Sequence, residues 1–202
     1  MKEALSILAV FTVLLFALKS MAHDRVVVVP LLSCPDDQPV NKTVFVSSTT
    51  CTGNLGGTNG ADAKCNQLAQ NADLKGNYKA WISTSKSTPA TTFNRSSGPY
   101  VLVNQTIVAN SWNDLTDSIL NHSIDLNELG GPVSVLGKVW TNTHPDGSII
   151  YLNSTGTCSD FSSADAQNTA VTGTIALYYS SEWTRHNSTS CHEPHYIYCI
   201  EQ

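Results

Sequence analysis

The chain has 202 residues, of which 41% are hydrophobic and 13% charged, with a formal net charge of −5 at pH 7. It contains three arginines, Arg25, Arg95 and Arg185, so it offers no basic patch for nucleic acid, heparin or anionic lipid. The polar remainder is rich in Ser, Thr, Asn and Gly, which favours strands, turns and ordered loops over helices.

Residues 1–22 have the pattern of a secretory signal peptide. Lys2 precedes an apolar run over residues 4–18, and Ser20 and Ala22 are the small residues of a cleavage site. The run is about 15 residues long, whereas a bilayer-spanning helix needs roughly 20. We expect cleavage after Ala22, which removes two basic residues and one acidic residue and leaves a formal charge of −6. A retained membrane anchor is the alternative.

Residues 23–42 are predicted to form an N-terminal arm that contains one apolar strand. Its aliphatic side chains are Val26, Val27, Val28, Val29, Leu31 and Leu32. Such a run favours a buried strand, while Pro30 lacks a backbone donor and restricts the strand to a sheet edge. As a free tail the run would promote aggregation. We expect it to add to a sheet edge of its own domain or of a neighbouring copy.

Residues 43–202 are predicted to form one domain of strands and loops around a single clear helix. Alternation of side chains predicts strands at 43–47, 78–83, 139–141, 149–151 and 196–198, and a hairpin of 100–103 with 107–109. The helix covers 61–74, with Ala61, Cys65 and Leu68 on its buried stripe, and Gly76 ends it. Ser111 caps a further helix start. The segments 84–138 and 153–190 are expected to contain long loops.

The last strand, Tyr196-Ile197-Tyr198, lies between Cys191 and Cys199. A strand held at both ends by cysteines belongs in the centre of a sheet, and disulfides require an oxidising compartment. Glycosylation sequons support the same compartment if the host is a eukaryote. They begin at Asn41, Asn94, Asn104, Asn121, Asn153 and Asn187.

Several short motifs follow one another in a fixed order over residues 43–202. They are Gly60-Ala61-Asp62-Ala63-Lys64-Cys65, Leu74-Lys75-Gly76-Asn77-Tyr78-Lys79-Ala80-Trp81-Ile82-Ser83, Asn110-Ser111-Trp112, Val139-Trp140 before Pro145-Asp146-Gly147, Cys158-Ser159-Asp160-Phe161, and Ser190-Cys191-His192 before Cys199-Ile200-Glu201. In order and spacing the chain resembles the endostatin domain of collagens XV and XVIII and bacterial secreted proteins of that kind. The resemblance implies an α+β, C-type-lectin-like fold with a mixed twisted sheet, one main helix and long loops.

The resemblance also implies two nested disulfides, Cys65 to Cys199 and Cys158 to Cys191. Cys34 and Cys51 remain, and we expect them to bond to each other within the chain, or Cys34 to bond to another chain. Endostatins bind heparin through surface arginines and zinc through closely spaced N-terminal histidines. With three arginines, and only His23 beside Asp24, this chain is expected to bind neither, and we predict no cofactor.

Other motifs indicate little chemistry. Trp112-Asn113-Asp114 matches a triplet of calcium-dependent lectins, but its position favours a helix start. In His192-Glu193-Pro194-His195 the two histidines are three residues apart with a proline between them, which does not fit a zinc protease helix. The four tryptophans are expected to fill the core, and Trp183, in a polar loop, is the one that is also a candidate binding residue; the others are Trp81, Trp112 and Trp140.

These observations predict a secreted, non-enzymatic module that binds an extracellular protein or glycan through loops on a disulfide-stapled scaffold. One alternative is a structural subunit of an extracellular fibre, in which each copy donates its N-terminal strand to the next. Another is a lectin that binds sugars through Ca²⁺. We expect no nucleic-acid partner and no membrane partner after signal cleavage.

Overall fold

The computed structural model describes residues 39–202, and an eight-stranded mixed sheet runs through them. The strands are β1 (Lys42–Val46), β2 (Tyr78–Ala80), β3 (Tyr100–Leu102), β4 (Ile107–Ala109), β5 (Lys138–Trp140), β6 (Thr169–Thr174), β7 (Asn187–Ser190) and β8 (Tyr196–Glu201). Their spatial order is β4-β3-β1-β8-β5-β6-β7, and β2 also pairs with β8. The right-handed α-helices are α1 (Gly57–Asn71), α2 (Pro89–Thr92) and α3 (Trp112–Leu115), and 3-10 helices cover Ser154–Gly156, Ile175–Leu177 and Ser181–Trp183. The fold is mixed α+β.

The C-terminal strand β8 lies in the centre of the sheet, as its flanking cysteines predict. It runs antiparallel to β1 and β2 and parallel to β5. Residues 197–200 are buried because both faces of β8 are covered. β8 therefore fixes the position of three strands that are far apart in the sequence.

Two apolar clusters cover the two faces of this sheet, and the period of two in each strand sorts side chains between them. Val44 and Tyr198 belong to the cluster that contains Trp81, whereas Phe45 and Cys199 belong to the cluster on the side of α1. Every one of these side chains is at most 1% exposed. The central strands therefore bury both of their faces.

The helix α1 packs through a stripe of small residues, Ala61, Cys65 and Ala69. Their size lets the helix come close enough for Cys65 to bond to Cys199, with an S–S distance of 2.00 Å. The helix begins four residues before the predicted start because Gly56, at φ 81°, turns the chain into it. It ends before the predicted Leu74 because Asp73 has a φ of 56°, outside the right-handed helical region.

The second disulfide joins Cys158 to Cys191 and holds an unusual turn. Residues 158–161 all have φ between 50° and 58°, a left-handed conformation that costs roughly 1–2 kcal/mol per residue outside glycine. The Asp160 carboxylate offsets part of this cost, because Ser85 donates to it from its backbone N (2.8 Å) and its Oγ (2.6 Å). Phe161 is fully buried in the α1-side cluster. The turn is thus held by covalent, polar and apolar contacts together.

Two parts of the strand prediction are wrong. Residues 149–151 form only an isolated bridge, because the Asn142 side chain bonds the backbone N and O of Tyr151 (3.2 and 3.1 Å) in place of a strand partner. The region expected to be a long loop, 153–190, contains β6 and β7. β6 is built from Thr, Ala, Val and Gly, which show no apolar alternation although five of its six residues are buried.

Candidate functional site

The two long loops that sequence analysis predicted as a recognition surface meet beside β4. Leu120 donates from its backbone N to the Tyr178 carbonyl (2.8 Å), and Asn121 donates to the Val108 carbonyl (2.8 Å). Leu120 is 2% exposed and belongs to the core cluster around Trp81. The junction of the loops is therefore anchored to the core and to the edge strand.

Exposed apolar side chains surround this junction. Ile107, Ile119 and Tyr179 are direct sequence neighbours of the bonded residues, and they are 43%, 56% and 59% exposed. The Tyr178 ring lies between the rings of Tyr179 and His122, with centroid distances of 5.5 and 6.3 Å. We call the surface formed by Ile107, Ile119, His122, Tyr178 and Tyr179 the tyrosine patch. The patch was not predicted from the sequence, although the Tyr178-Tyr179 pair in a segment of small residues is a usable signal.

Two acidic groups lie beside residues of the tyrosine patch. The Asp117 carboxylate accepts from the Ile119 backbone N (3.0 Å), and Asp125 lies 3.9 Å from His122 Nδ1. Between Arg95 and Lys138 the chain has four acidic residues and no lysine or arginine. The Asp125 Oδ1 atom is buried and has no hydrogen-bond partner among the described residues. The field at this surface therefore favours a cationic partner.

Trp183 does not belong to an exposed surface, and its prediction as a binding residue is wrong. Its side chain is fully buried, with ring centroids 5.3 Å from Trp81 and 6.0 Å from Tyr198. The indole fills the core together with its neighbour Thr184, which is also fully buried, whereas Arg185 is exposed. A ligand cannot contact Trp183 directly.

The Trp112-Asn113-Asp114 triplet forms the first turn of α3. The Ser111 Oγ accepts from the Asp114 backbone N (3.2 Å), which is an ordinary helix cap. Asp114 Oδ2 accepts from the Asn110 backbone N (2.5 Å), from Asn110 Nδ2 (2.8 Å) and from Asn121 Nδ2 (3.0 Å). With three N–H donors on one oxygen, this carboxylate joins the two ends of a loop, and this favours the helix start over a calcium ligand.

The three C-terminal histidines have separate surroundings. His186 Nδ1 lies 2.6 Å from Glu182, His192 is exposed, and His195 is buried with Nε2 2.9 Å from Thr189 Oγ1. Burial lowers the pKa of His195, and the positive charge of Lys138 adds to this effect. Within residues 39–202 no group of three or more His, Cys, Asp or Glu is arranged to hold a metal ion.

The cysteines pair as the resemblance implies, Cys65 with Cys199 and Cys158 with Cys191. Cys51 is half-buried and forms no disulfide within residues 39–202. Cys34 lies outside the described residues, as do the signal peptide and the apolar strand of the arm, so those predictions stay predictions. The six sequon asparagines are exposed: Asn41, Asn94, Asn104, Asn121, Asn153 and Asn187. Their glycosylation stays a prediction.

Comparison with known proteins identifies the family. The sequence model of the family described as Collagenase NC10 and Endostatin matches residues 44–202, which is more than half of the chain. No curated protein matches it significantly. No helix in the described part, residues 39–202, is long and apolar enough to cross a bilayer. The two disulfides and the matched family both suggest an extracellular protein. The chain is a member of the endostatin family.

Proposed function

We propose that this protein is a secreted, non-enzymatic module with a C-type-lectin-like fold that binds another extracellular protein through the tyrosine patch. The observation that carries the proposal is the meeting of two long loops at an apolar, aromatic surface anchored to the core. Loops on a rigid scaffold are where binding residues concentrate. The family match and the central C-terminal strand support the C-type-lectin-like fold.

The composition of the tyrosine patch indicates the chemistry of its partner. Tyrosine is enriched at the energetic centres of protein interfaces, where it supplies a large contact area and a hydroxyl group. Two acidic side chains adjoin the patch, Asp117 at Ile119 and Asp125 at His122. A protein surface with an apolar centre and lysine or arginine at its rim is complementary to this arrangement. Association with such a partner weakens as salt concentration rises.

A catalytic role is not part of the proposal, because the shifted titratable groups have structural partners. Burial raises the pKa of Asp62, whose Oδ1 accepts from the Ala80 backbone N (2.8 Å) and so holds β2 against α1. Burial also raises the pKa of Tyr78 to about 12 and raises that of Tyr198. These groups are enclosed by the fold, and burial explains the pKa shift of each.

The experiment compares binding of two double variants to cultured cell surfaces and to deposited matrix. The labelled wild-type protein is expected to bind saturably, and Tyr179→Ser with Ile119→Ser should raise the dissociation constant about tenfold or more. The matched control is Tyr151→Ser with Leu152→Ser, because these residues are another adjacent aromatic and aliphatic pair, 46% and 70% exposed. Equal losses in both variants, or no loss in the first, would refute the assignment of the patch.

Enzymatic treatment of the target surface distinguishes protein recognition from sugar recognition. Treating the target surface with protease is expected to abolish binding, whereas treating it with glycosidases should leave binding intact. Addition of EDTA distinguishes the calcium-lectin alternative, which requires binding to disappear with the metal. Because Asp114 already accepts hydrogen bonds from three N–H donors, we expect binding to survive EDTA.

A further inference from the structure

Cys51 lies shortly after the end of β1, and hydrogen bonds hold its backbone in place. Its backbone exchanges two hydrogen bonds with His195, at 2.8 and 2.9 Å, and its carbonyl accepts from Trp140 Nε1 at 2.8 Å. The residue is half-buried and lines a cavity of about 130 Å³. The other residues of the cavity are Ser47, Thr49, Lys64, Gln67, Leu68 and Ile197. Leu68, Ile197 and the aliphatic stems of Lys64 and Gln67 make much of this lining apolar.

The N-terminal arm enters the domain at the opposite end of β1. Val40 donates from its backbone N to Ser97 Oγ (3.1 Å), and its carbonyl accepts from Ser96 Oγ (2.7 Å). The Lys42 backbone N donates to the Pro99 carbonyl (2.9 Å), and β1 then runs parallel to β3. The described chain therefore begins, at residue 39, beside the segment that leads into β3.

The strand register gives the distance between this entry point and Cys51. On the neighbouring strand β8, Val44 is opposite Ile200 and Cys51 is opposite His195. Ile200 and His195 are five residues apart, so Cys51 lies the length of five strand residues from Val44. Pro39 lies five residues before Val44 in the other direction. Because β8 is antiparallel to β1, the two intervals add, and at about 3.3 Å per residue a fully extended path separates Pro39 from Cys51 by at most about 33 Å.

Cys34 of the same chain reaches toward Cys51 only if the residues that join it to Pro39 are almost fully extended. Five residues separate it from Pro39, and a fully extended chain spans at most about 18 Å over five residues. A disulfide joins Cα atoms no more than about 6.8 Å apart, so the longest possible reach is about 25 Å in a straight line. That line runs along β1, where both faces of the sheet are covered by packed side chains. A path over the surface is longer still.

We propose that Cys51 forms a disulfide with Cys34 of a second copy of this chain, whose N-terminal arm lies on the surface around the Cys51 cavity. The arm has Leu31 and Leu32 just before its cysteine, and one such aliphatic side chain matches the size of the cavity. After the cysteine it has Asp36 and Asp37, which complement the Lys64 ammonium at the cavity. This assignment does not depend on the tyrosine patch.

The charge distribution of the chain supports contact between copies. Residues 39–95, which contain α1 and Lys64, have six basic and two acidic residues, whereas residues 96–202 have two basic and ten acidic residues. Each copy thus offers Lys64, the cation that lines the Cys51 cavity, to an acidic partner. The acidic end of a second copy's arm is such a partner.

The covalent step is thiol–disulfide exchange. A small or protein disulfide of the secretory compartment is the oxidant: one thiolate attacks it to form a mixed disulfide, and the thiolate of the other copy displaces the second half. One S–S bond forms between Cys34 and Cys51 and one breaks in the oxidant, which leaves as two thiols carrying the two protons. Two electrons pass from the pair of cysteines to the oxidant.

The first test uses the full chain, secreted by eukaryotic cells, alkylated at harvest and freed of N-glycans. Non-reducing electrophoresis and light scattering should show covalent dimers or longer species that reductant converts to monomers. Mass spectrometry should find the Cys34 peptide joined to the Cys51 peptide, and co-secretion of isotopically light and heavy chains should give mixed-isotope linked peptides. Monomers with a Cys34–Cys51 link, or with both thiols alkylated, would overturn the proposal.

Variants separate this linkage from nonspecific oxidation. Cys34→Ser and Cys51→Ser should each secrete as monomers, and co-secretion of the two variants should yield a covalent dimer and nothing longer. Lys64→Glu should slow covalent dimer formation about twofold to fivefold at low salt, as expected for one surface charge contact. The matched control is Lys75→Glu, an exposed lysine outside the cavity lining. Covalent multimers of Cys51→Ser, or equal slowing by both lysine variants, would contradict the assignment.

Discussion

The two buried disulfides allow a comparison of the stabilisation that comes from closing loops of different length. All four cysteines are fully buried, so replacing either pair with alanine leaves a cavity of similar kind. The pairs differ in sequence separation, 134 residues for Cys65 to Cys199 and 33 for Cys158 to Cys191. With the chain-entropy estimate, the longer loop contributes about 5 kcal/mol and the shorter about 4 kcal/mol.

The double variant Cys65→Ala with Cys199→Ala is therefore expected to be about 1 kcal/mol less stable than Cys158→Ala with Cys191→Ala. Urea denaturation followed by circular dichroism at low temperature measures this difference, which corresponds to a midpoint shift of about 0.5 M. The measurement is made with Cys34 and Cys51 both changed to serine, so that no free thiol reshuffles the remaining bond. If the inner pair proves more costly to remove, loop entropy is not the main source of stabilisation, and support of the left-handed turn by Cys158 becomes the explanation.

Three further predictions concern packing, the Asp114 contacts and pH. Gly173→Ala would place a Cβ 1.9 Å from the Trp183 carbonyl oxygen, so we expect a loss of about 3 kcal/mol or more in urea denaturation. The control is Gly131→Ala, whose nearest atom is Asn127 Nδ2 at 3.3 Å, and it should cost less than half as much. Asp114→Ala removes an acceptor from three N–H donors and should lower the free energy of unfolding by about 1–3 kcal/mol. EDTA should leave the melting temperature of the wild type unchanged. A lower melting temperature in EDTA would support the calcium interpretation instead. Burial lowers the pKa of His195, so the folded state binds its proton less readily than the unfolded state, whose pKa is about 6.5. Stability should therefore fall as pH drops below about 6.5 until the folded pKa is passed, and His195→Gln should reduce this part of the slope in denaturation series from pH 7.5 to 5.

Elements with a strong local pattern were predictable from the sequence. α1 follows from small and apolar residues at spacings of three and four, and β1 and β8 follow from alternation. The central place of β8 could be inferred from its two flanking cysteines, because a strand tied at both ends cannot lie on a free edge. The capping role of Ser111 was also visible, since Ser before an apolar helix start is a local signal.

Elements defined by their neighbours were not predictable. β6 and β7 are made of small polar residues and form strands because they continue the sheet from β5. Thr172 illustrates this: it is fully buried, and its Oγ1 donates to the Asn187 carbonyl of β7 (3.0 Å), a partner that a local pattern cannot reveal. Trp183 was misassigned for the same reason, because its polar flanks hide the core contacts of its indole.

By itself, the sequence determined the acidic character of the chain, the α+β class, the pairing of four cysteines through family resemblance, and the family. These depend on composition, on local periodicity and on the order of short motifs. Only the tertiary structure decided that residues near 108, 120 and 178 form one apolar surface, and that Cys51 lies beyond the end of β1 opposite to the point where the N-terminal arm enters. The physical reason is that both results depend on strand direction and register, which are set by hydrogen bonds between segments far apart in the chain.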